Sequence, residues 1–388
     1  MQVTDFTEHA PGKLSEHPAG YIYFAPAQLP PKIQITWELT DDLLEAERSL
    51  AELSGLARTL PNPNLLIAPL ARREAVLSSR MEGTQASLSD LFFFEAAPQV
   101  QPDAADTREV YNYVRALEYG LERLDQLPLS LRLIREIHKK LMTGVRGESA
   151  RPGEFRDGQN WIGVYGSTVD EASYVPPAPR EMHECLASLE RYLHQEPKYP
   201  TLIELALIHY QFEAIHPFLD GNGRVGRLLI PLILSERSVI SNPLLYLSAF
   251  FERNRLEYNR RLFEVSRTGQ WVEWGRFFLR AVKEQSRDAV WRTELLLNYL
   301  KHSRAAIEST RSSARLLTLV DRLFVSPVVT AADAVQLLDV TYGTAIADIE
   351  KLEAAGIVRE ATGRKRNRIY VADEIVDIVD RKSPVESG

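Results

Sequence analysis

The segment from His216 to Arg227 combines, within a short span, the residue types that phosphate chemistry uses. A helical apolar pattern precedes it, and Pro217 disfavours helical geometry in the residue before it, so the helix should end at His216. The loop that follows contains Gly221–Gly223, whose glycines let main-chain N–H groups approach an anion closely. This order predicts a histidine that faces a phosphate-binding loop.

Two arginines follow that loop, in the first turn of a second predicted helix. Arg224 and Arg227 are three residues apart and therefore share a helix face. Cations are unfavourable at a helix N-terminus unless an anion offsets the dipole, which indicates a nucleotide polyphosphate. Mg²⁺ binds through one or two carboxylates plus phosphate oxygens, so Asp220 is the candidate metal ligand. His216 is the candidate general base for an attacking hydroxyl.

This segment resembles the Fic family signature, His-x-Phe-x-(Asp/Glu)-Gly-Asn-Gly-Arg-x-x-Arg, at every defined position. The resemblance implies transfer of AMP from ATP to a protein hydroxyl (Ser, Thr or Tyr), with His216 as the base and Asp220 holding Mg²⁺. It also implies a phosphate site in which the α- and β-phosphates contact the backbone of Gly221, Asn222 and Gly223 and the Asn222 side chain, Arg224 reaches the β-phosphate, and Arg227 holds the γ-phosphate.

A second motif lies well upstream of the first. Residues 78–83 match the family's inhibitory motif, (Ser/Thr)-x-x-x-Glu-(Gly/Asn), through Ser78, Glu82 and Gly83. A surface helix with a C-terminal glycine would give the same short pattern. The resemblance implies that Glu82 pairs with Arg227, in the place where this arginine would otherwise hold the γ-phosphate. It therefore implies a self-inhibited enzyme with its inhibitory helix on the N-terminal side.

Two further segments resemble family elements that surround the nucleotide. Residues 158–177 alternate aromatic and β-branched side chains around Gly166, which predicts a hairpin flap. In the family such a flap aligns a target segment by strand addition. The segment 251–258 resembles the family's adenine-side helix, which makes Asn254 a candidate for nucleotide contact. A surface helix with Tyr258 packed inward explains that segment equally well.

The elements that would position these residues are mainly α-helices. Scattered prolines and glycines in residues 1–35 predict an extended or irregular arm. His209 lies on an apolar helix and is interpreted as a core or supporting residue rather than a zinc ligand. Apolar residues with helical spacing then recur in blocks at 43–56, 65–76, 108–126, 130–143, 180–194, 201–216, 223–236, 254–266 and 271–302.

The C-terminal segment predicts a winged helix-turn-helix, with helices at 313–324, 330–338 and 341–355 before a two-stranded wing. The wing, residues 359–368, contains five basic residues and one acidic residue, which suits phosphate contact. The helix at 341–355 is short of side chains that read base edges. DNA contact, protein contact and a structural role therefore stay open. The predicted domains are 1–103, 104–303 and 304–388.

Composition sets the broader expectations. The chain has 388 residues and a net charge of -7, so a nucleic-acid role would have to be local. It contains no apolar run near the ~20 residues that span a bilayer, no secretory signal and a single cysteine, so a cytoplasmic location is expected. The resemblance further implies that the protein forms a homodimer. Removal of AMP at the same site, transfer of another phosphate-containing group, and a nucleotide-sensing DNA-binding regulator are the alternative functions.

Overall fold

A computed structural model describes residues 1–58, 62–97, 105–145, 151–164, 166–308, 313–364 and 367–386. The fold is mainly α-helical with small antiparallel sheets, as predicted. Tyr165 of the predicted flap and Lys365 and Arg366 of the predicted wing lie outside the described residues. Within the described ranges, no helix is both long enough and apolar enough to cross a membrane.

Each predicted block coincides with a helix, because apolar residues recur in it with helical spacing, whereas the helices Leu88–Ala96, Ser248–Arg253 and Asp373–Asp380 were not predicted. The elements, in chain order, are β1 (Gly12–Glu16), β2 (Ile22–Pro26), α1 (Trp37–Arg58), α2 (Asn64–Met81), α3 (Leu88–Ala96), α4 (Ala105–Leu124), α5 (Leu131–Met142), α6 (Pro179–Leu193), α7 (Thr201–Ile215), α8 (Asn222–Glu236), α9 (Ser248–Arg253), α10 (Arg255–Thr268), α11 (Trp271–Ile307), α12 (Ser313–Val325), β3 (Val328–Thr330), α13 (Ala331–Leu338), α14 (Tyr342–Ala354), β4 (Arg359–Glu360), β5 (Ile369–Val371) and α15 (Asp373–Asp380).

The chain forms two compact units. The first contains Met1–Ala51 and Asn112–Gln285, and the second contains Glu52–Tyr111 and Ser286–Gly388. This grouping does not follow the sequence order on which the domain boundaries 1–103, 104–303 and 304–388 were based. Those boundaries stay predictions.

In the first unit, residues 12–26 of the predicted extended or irregular arm are extended, and they form a hairpin that the sequence pattern did not predict. Strands β1 and β2 pair antiparallel, with Gly12 opposite Pro26 and Glu16 opposite Ile22. A turn that includes Gly20, at φ 89°, joins them. The proline and glycine of this connection mark a tight turn between strands, a possibility that the scattered-proline interpretation overlooked.

The core of the first unit surrounds α7, which is buried on nearly every side. Its His209 is a core residue, as predicted: Nδ1 lies 3.1 Å from the Gly226 carbonyl oxygen of α8, and Nε2 lies 2.8 Å from the Tyr258 hydroxyl of α10. Gly226 of α8 faces α7, since a Cβ there would overlap Glu213 Oε1 and lie 3.3 Å from Phe212 Cδ1. Helix α7 therefore fixes the position of α8.

The second unit contains the C-terminal helices and a three-stranded sheet in the order β3-β5-β4. Thr330 caps α13 by accepting from the Asp333 N–H at 3.2 Å, while the Asp333 carboxylate accepts from the Thr330 N–H at 2.8 Å. Arg359 pairs with Asp373 through two hydrogen bonds, of 2.7 and 2.9 Å, which lowers the net positive charge near the wing. The winged helix-turn-helix assignment stays a prediction.

Helix α2 is held within this second unit by buried ion pairs. Arg73 Nη1 lies 3.3 Å from Asp288 Oδ2 on α11, and Asp288 also receives two hydrogen bonds from Arg292, of 2.9 and 3.0 Å. Arg292 in turn donates to the carbonyl oxygens of Ile378 and Val379 in α15, at 2.8 and 2.9 Å. One connected network thus joins α2, α11 and the C-terminal helix.

We expect Asp288→Asn to lower the free energy of unfolding by ~3–5 kcal/mol, because it leaves the Arg292 guanidinium buried without its carboxylate. Asp321→Asn is the matched control, since Asp321 pairs with Arg304 where both side chains are more than a third exposed. Its expected cost is ~0–1 kcal/mol. Urea denaturation of the full chain measures both values, and equal costs would contradict the structural role of the network.

Candidate active site

The candidate site begins where α7 ends. His216 caps the helix in the left-handed conformation, at φ 49° and ψ 61°, and its N–H donates to the Phe212 carbonyl at 3.1 Å. Pro217 follows, so the helix ends at the predicted residue for the predicted reason. A non-glycine residue in this conformation costs ~1–3 kcal/mol and persists only where its surroundings hold it.

Two side chains, one just before the flap segment and one within it, hold this turn. Arg156 donates from Nε to the His216 carbonyl oxygen at 2.9 Å. Asn160 donates from Nδ2 to the carbonyl oxygens of His216 and Phe218, at 3.3 and 2.8 Å. The His216 ring itself has Nδ1 3.3 Å from the Glu213 carbonyl oxygen. The His216 side chain is half-buried.

The loop between α7 and α8 is closed by the Asn222 amide. Asn222 Oδ1 accepts from the Phe218 N–H at 2.8 Å, and Asn222 Nδ2 donates to the Phe218 carbonyl at 2.8 Å. The predicted phosphate contact of the Asn222 side chain would therefore use an amide whose oxygen and nitrogen both already bond the main chain of Phe218. We expect phosphate contact here to come mainly from main-chain N–H groups at the start of α8.

Gly221 and His138 set the shape of the loop where α8 begins. Gly221 has φ 80°, and a Cβ there would lie 2.9 Å from Met142 Sδ. The His138 ring stacks on Phe218, with centroids 3.7 Å apart. His138 Nδ1 accepts from the Gly153 N–H at 2.8 Å, so Nε2 carries the proton that is donated to the Asp220 carbonyl at 3.0 Å. Glycine at 221 and a neutral histidine at 138 are both geometric requirements.

The charged residues of the loop lie around the N-terminus of α8. The Asp220 carboxylate is half-exposed; Oδ1 accepts from the Gly221 N–H at 2.6 Å and lies 3.7 Å from Arg224 Nη2. Arg224 and Arg227 are both buried. Cations buried at a helix N-terminus favour an anionic ligand, which offsets both the arginine charges and the helix dipole.

Mg²⁺ at Asp220 is compatible with this arrangement. Across the described part of the chain, no cluster of three or more His, Cys, Asp or Glu forms a metal site. Mg²⁺ bound with a nucleotide does not require such a cluster, because phosphate oxygens and water supply most of its ligands. The exposed Asp220 carboxylate has the required chemistry, and the metal stays a prediction.

Two family models match this chain. Residues 40–122 match the Fic/DOC family N-terminal model, and residues 128–234, which include the whole His216 turn, match the Fic/DOC family model. The chain belongs to the Fic/DOC family.

Curated relatives and solved structures agree with this assignment. Proteins called "Protein adenylyltransferase Fic" from Drosophila erecta and Drosophila melanogaster are 32% and 31% identical over 130 residues. The match covers 32% of this chain and 24% of each of those proteins. A Fic family protein from Desulfovibrio desulfuricans G20 has the same fold, with a TM-score of 0.57 and 19% identity over 89% of this chain and 98% of that one.

In the described part of the flap, residues 158–164 and 166–177, this Fic protein has a β-bridge between Ile162 and Tyr174 and no regular strand. The Tyr174 hydroxyl donates to the Ala214 carbonyl near the end of α7 at 2.8 Å. The Phe24 N–H of β2 donates to the Val175 carbonyl at 2.9 Å. The N-terminal hairpin therefore supports the base of the flap, a contact that sequence patterns did not reveal.

The remaining predicted site residues lie outside the His216 loop. Asn254 links α9 and α10, with its Nδ2 donating to the Phe250 carbonyl at 2.9 Å, and Tyr258 packs inward. Both observations suit the surface-helix interpretation, and nucleotide contact at Asn254 stays a prediction.

The inhibitory motif lies at the end of α2 in the second unit. Ser78 is buried within the helix. Glu82 is the first residue after the helix and is exposed, and Gly83 has φ 100°. The left-handed glycine is what ends the helix at this point. Pairing of Glu82 with Arg227 stays a prediction.

The sequence did not reveal the roles of Arg156 and His138, because both side chains hydrogen-bond to main-chain atoms of residues far away in the sequence. Each binds a carbonyl oxygen of the motif loop, sixty residues away for Arg156 and 82 for His138. His138 occupies an apolar position of α5, where it gives the signal of an ordinary core residue. Its only distinguishing feature in sequence is polarity on an otherwise apolar helix face.

Burial lowers the pKa of His138 to about 4, against a smaller opposing effect of its bond to the Asp220 carbonyl. As the pH falls, His138 is therefore protonated in the unfolded chain at a higher pH than in the folded chain. The folded state loses stability between about pH 6.5 and 4. Between pH 7 and pH 5 we expect His138 alone to contribute a loss of about 2 kcal/mol.

Urea denaturation of wild type and His138→Gln at both pH values measures this contribution. The variant keeps an N–H donor for the Asp220 carbonyl and should lose less stability on acidification by that amount. His183→Gln, at an exposed histidine, is the control and should behave as wild type. Identical pH dependence in wild type and His138→Gln would show that His138 is not held neutral by the fold.

Proposed function

We propose that this chain is a protein adenylyltransferase that transfers AMP from ATP to a hydroxyl side chain (Ser, Thr or Tyr) of target proteins and of itself. The observation that most supports this activity is the turn that joins His216 to the N-terminus of α8, whose main chain is held by side-chain hydrogen bonds. It puts a candidate base and a candidate phosphate site a few residues apart on a fixed main chain. The name of the Drosophila relatives, protein adenylyltransferase, supports the same activity.

The turn also indicates which imidazole nitrogen acts as the base. Nδ1 of His216 faces the Glu213 carbonyl oxygen, an acceptor, so Nδ1 carries the proton and Nε2 is the basic nitrogen. In the proposed reaction the acceptor oxygen attacks the α-phosphorus, the bond to the β-phosphate oxygen breaks, and pyrophosphate leaves. His216 Nε2 takes the hydroxyl proton. Mg²⁺ at Asp220, when bound, would neutralise phosphate charge.

We further propose that Glu82 inhibits the enzyme by pairing with Arg227. The support is the anchoring of α2, which the Arg73–Asp288–Arg292 network fixes within its unit. An anchored helix end holds a carboxylate with little loss of side-chain entropy on pairing. While Glu82 holds Arg227, the γ-phosphate would lack its arginine, and the α-phosphorus would not be aligned for attack.

The alternatives predict different label transfer. A transferase of the γ-phosphoryl group would incorporate label from γ-³²P-ATP, and a transferase of a phosphate-containing group from another donor would incorporate label from neither form of ATP. A nucleotide-sensing DNA-binding regulator would also incorporate none. Removal of AMP would release label from protein that is already modified. Adenylyl transfer alone gives incorporation from α-³²P-ATP without incorporation from γ-³²P-ATP.

We expect His216→Ala to reduce incorporation from α-³²P-ATP by ~10²–10⁴-fold, because the variant removes the proton acceptor. ATP affinity should stay close to that of wild type, because the imidazole acts on the hydroxyl rather than on the phosphates. Labelling rates and nucleotide binding are measured on the same preparations. His209→Gln tests whether loss of a buried histidine alone has this effect. Wild-type labelling by His216→Ala would contradict the base assignment.

We expect Glu82→Gly to raise auto-modification by at least about tenfold, since a charge-assisted bond of ~1.5–3 kcal/mol corresponds to a factor of ~10–150 in population. Arg227→Ala in the same chain should cancel the gain, because the released arginine is what aligns the triphosphate.

Arg80→Gly is the control for loosening the same helix end, since Arg80 is also exposed near the end of α2. It should give no activation. Unchanged labelling in Glu82→Gly, or equal activation in Arg80→Gly, would overturn the inhibitory role of Glu82.

A further inference from the structure

Arg156 is a buried arginine whose guanidinium binds main-chain carbonyls. Nε donates to the His216 oxygen at 2.9 Å and Nη1 to the Gly158 oxygen at 3.1 Å. Nη2 donates to the Pro177 oxygen at 2.5 Å and more weakly to the Ile215 oxygen at 3.5 Å. Its side chain is wholly buried, so these contacts are shielded from water.

The environment of this cation is unusual. A buried charge is normally paired with an opposite charge, because desolvation costs several kcal/mol per ion. Among the residues that the structure describes, no carboxylate forms an ion pair with Arg156. Burial lowers its pKa to about 10, which still leaves it charged at neutral pH. The compensation comes from carbonyl dipoles, including the C-terminal end of α7, where the helix dipole is negative.

The carbonyls that Arg156 binds belong to two functional elements. His216 and Ile215 form the end of α7 and the turn that presents the candidate base. Gly158 and Pro177 lie at the two ends of the flap segment, 158–177. The Arg156 N–H also donates to the Pro217 carbonyl at 2.9 Å. A single residue therefore connects the histidine turn to both ends of the flap.

We propose that Arg156 is a positioning residue that holds the His216 turn and the two ends of the flap in a fixed position relative to one another. The inference rests on the proposed function, in which the flap presents the acceptor hydroxyl to His216. The planar guanidinium has five donors in a rigid arrangement, so the directions of its bonds fix the directions of the carbonyls. A lysine at this position has three donors on one atom and cannot span the two elements in the same way.

This arrangement has a specific kinetic consequence. The nucleotide loop depends on Asn222, Gly221 and His138, none of which bonds to Arg156. Loss of Arg156 should therefore spare ATP binding and impair alignment of the acceptor with the base. A misplacement of about 1 Å costs about 10²-fold in rate when reacting groups must be aligned.

The experiment compares Arg156→Lys and Arg156→Gln with Arg292→Lys, all in the Glu82→Gly chain. Arg292 is the matched control, because it is another wholly buried arginine that donates to main-chain carbonyls, those of Ile378 and Val379, in the second unit. The acceptor is the His216→Ala chain, and label comes from α-³²P-ATP.

We expect both Arg156 variants to keep ATP affinity within about threefold, to lower kcat by at least about tenfold and to raise the KM for the acceptor chain. The residual rate should also lose the rise with pH that a general-base histidine gives. Arg292→Lys should keep kcat, KM and the pH profile. A purely structural role of Arg156 would instead reduce the active fraction and leave KM and the pH profile unchanged, and that result overturns the proposal.

A second readout does not depend on activity. Ile162 and Tyr174 exchange two main-chain hydrogen bonds across the flap, of 2.8 and 3.1 Å, and their amide hydrogen exchange reports flap order. We expect faster exchange at both amides in Arg156→Gln and no change in Arg292→Lys. Unchanged exchange in Arg156→Gln refutes the tie to the flap, even if the parent chain transfers no label and the proposed function fails.

Asn160→Ala provides a test if the Arg156 variants do not fold. Asn160 lies two residues into the same flap end and donates to the His216 and Phe218 carbonyls. Its removal should lower kcat, raise the KM for the acceptor chain and speed Ile162 amide exchange, each by a smaller factor than in the Arg156 variants. No change in any of these three measurements would contradict the coupling between the flap and the His216 turn.

Discussion

The left-handed turn at His216 is the constraint on which the rest of the site depends. A histidine pays a conformational cost there, and the hydrogen bonds that Arg156 and Asn160 make to its carbonyl hold it in place. The same turn ends α7, begins the loop and meets the flap. A rotation of this one peptide would therefore disturb the candidate base and the ends of the flap together, while Asn222 and His138 hold the nucleotide loop through separate bonds.

The electrostatic potential of the loop depends on two charged arginines and one neutral histidine. Buried Arg224 and Arg227 add positive charge to the N-terminus of α8, which already favours anions. His138, directly behind the loop, is held neutral by burial and serves as an N–H donor to the Asp220 carbonyl. This division concentrates the positive charge on the face where phosphates would bind and leaves the support of the loop uncharged.

Periodicity and proline geometry are local signals, so the sequence was sufficient to predict most of the helices, the end of α7 before Pro217 and the residues of the loop, but not the short helices α3, α9 and α15. It was insufficient for the support of the site. Arg156, His138 and the contact between Phe24 and Val175 join residues that are far apart in the chain, through main-chain carbonyls that carry no sequence signature. The same limit explains why the grouping of α2 with the C-terminal helices was not foreseen: it depends on a buried network of distant residues.

The central claim, adenylyl transfer at the His216 turn, is tested most directly by product stoichiometry. The Glu82→Gly chain is incubated with ATP and Mg²⁺, and pyrophosphate release is compared with the adenosine monophosphate attached to protein hydroxyls, identified by mass spectrometry of its peptides. The account predicts equal amounts of the two products and neither product when His216 is replaced by alanine. Release of inorganic phosphate in place of pyrophosphate, or modified peptides that carry phosphate without adenosine, would contradict it.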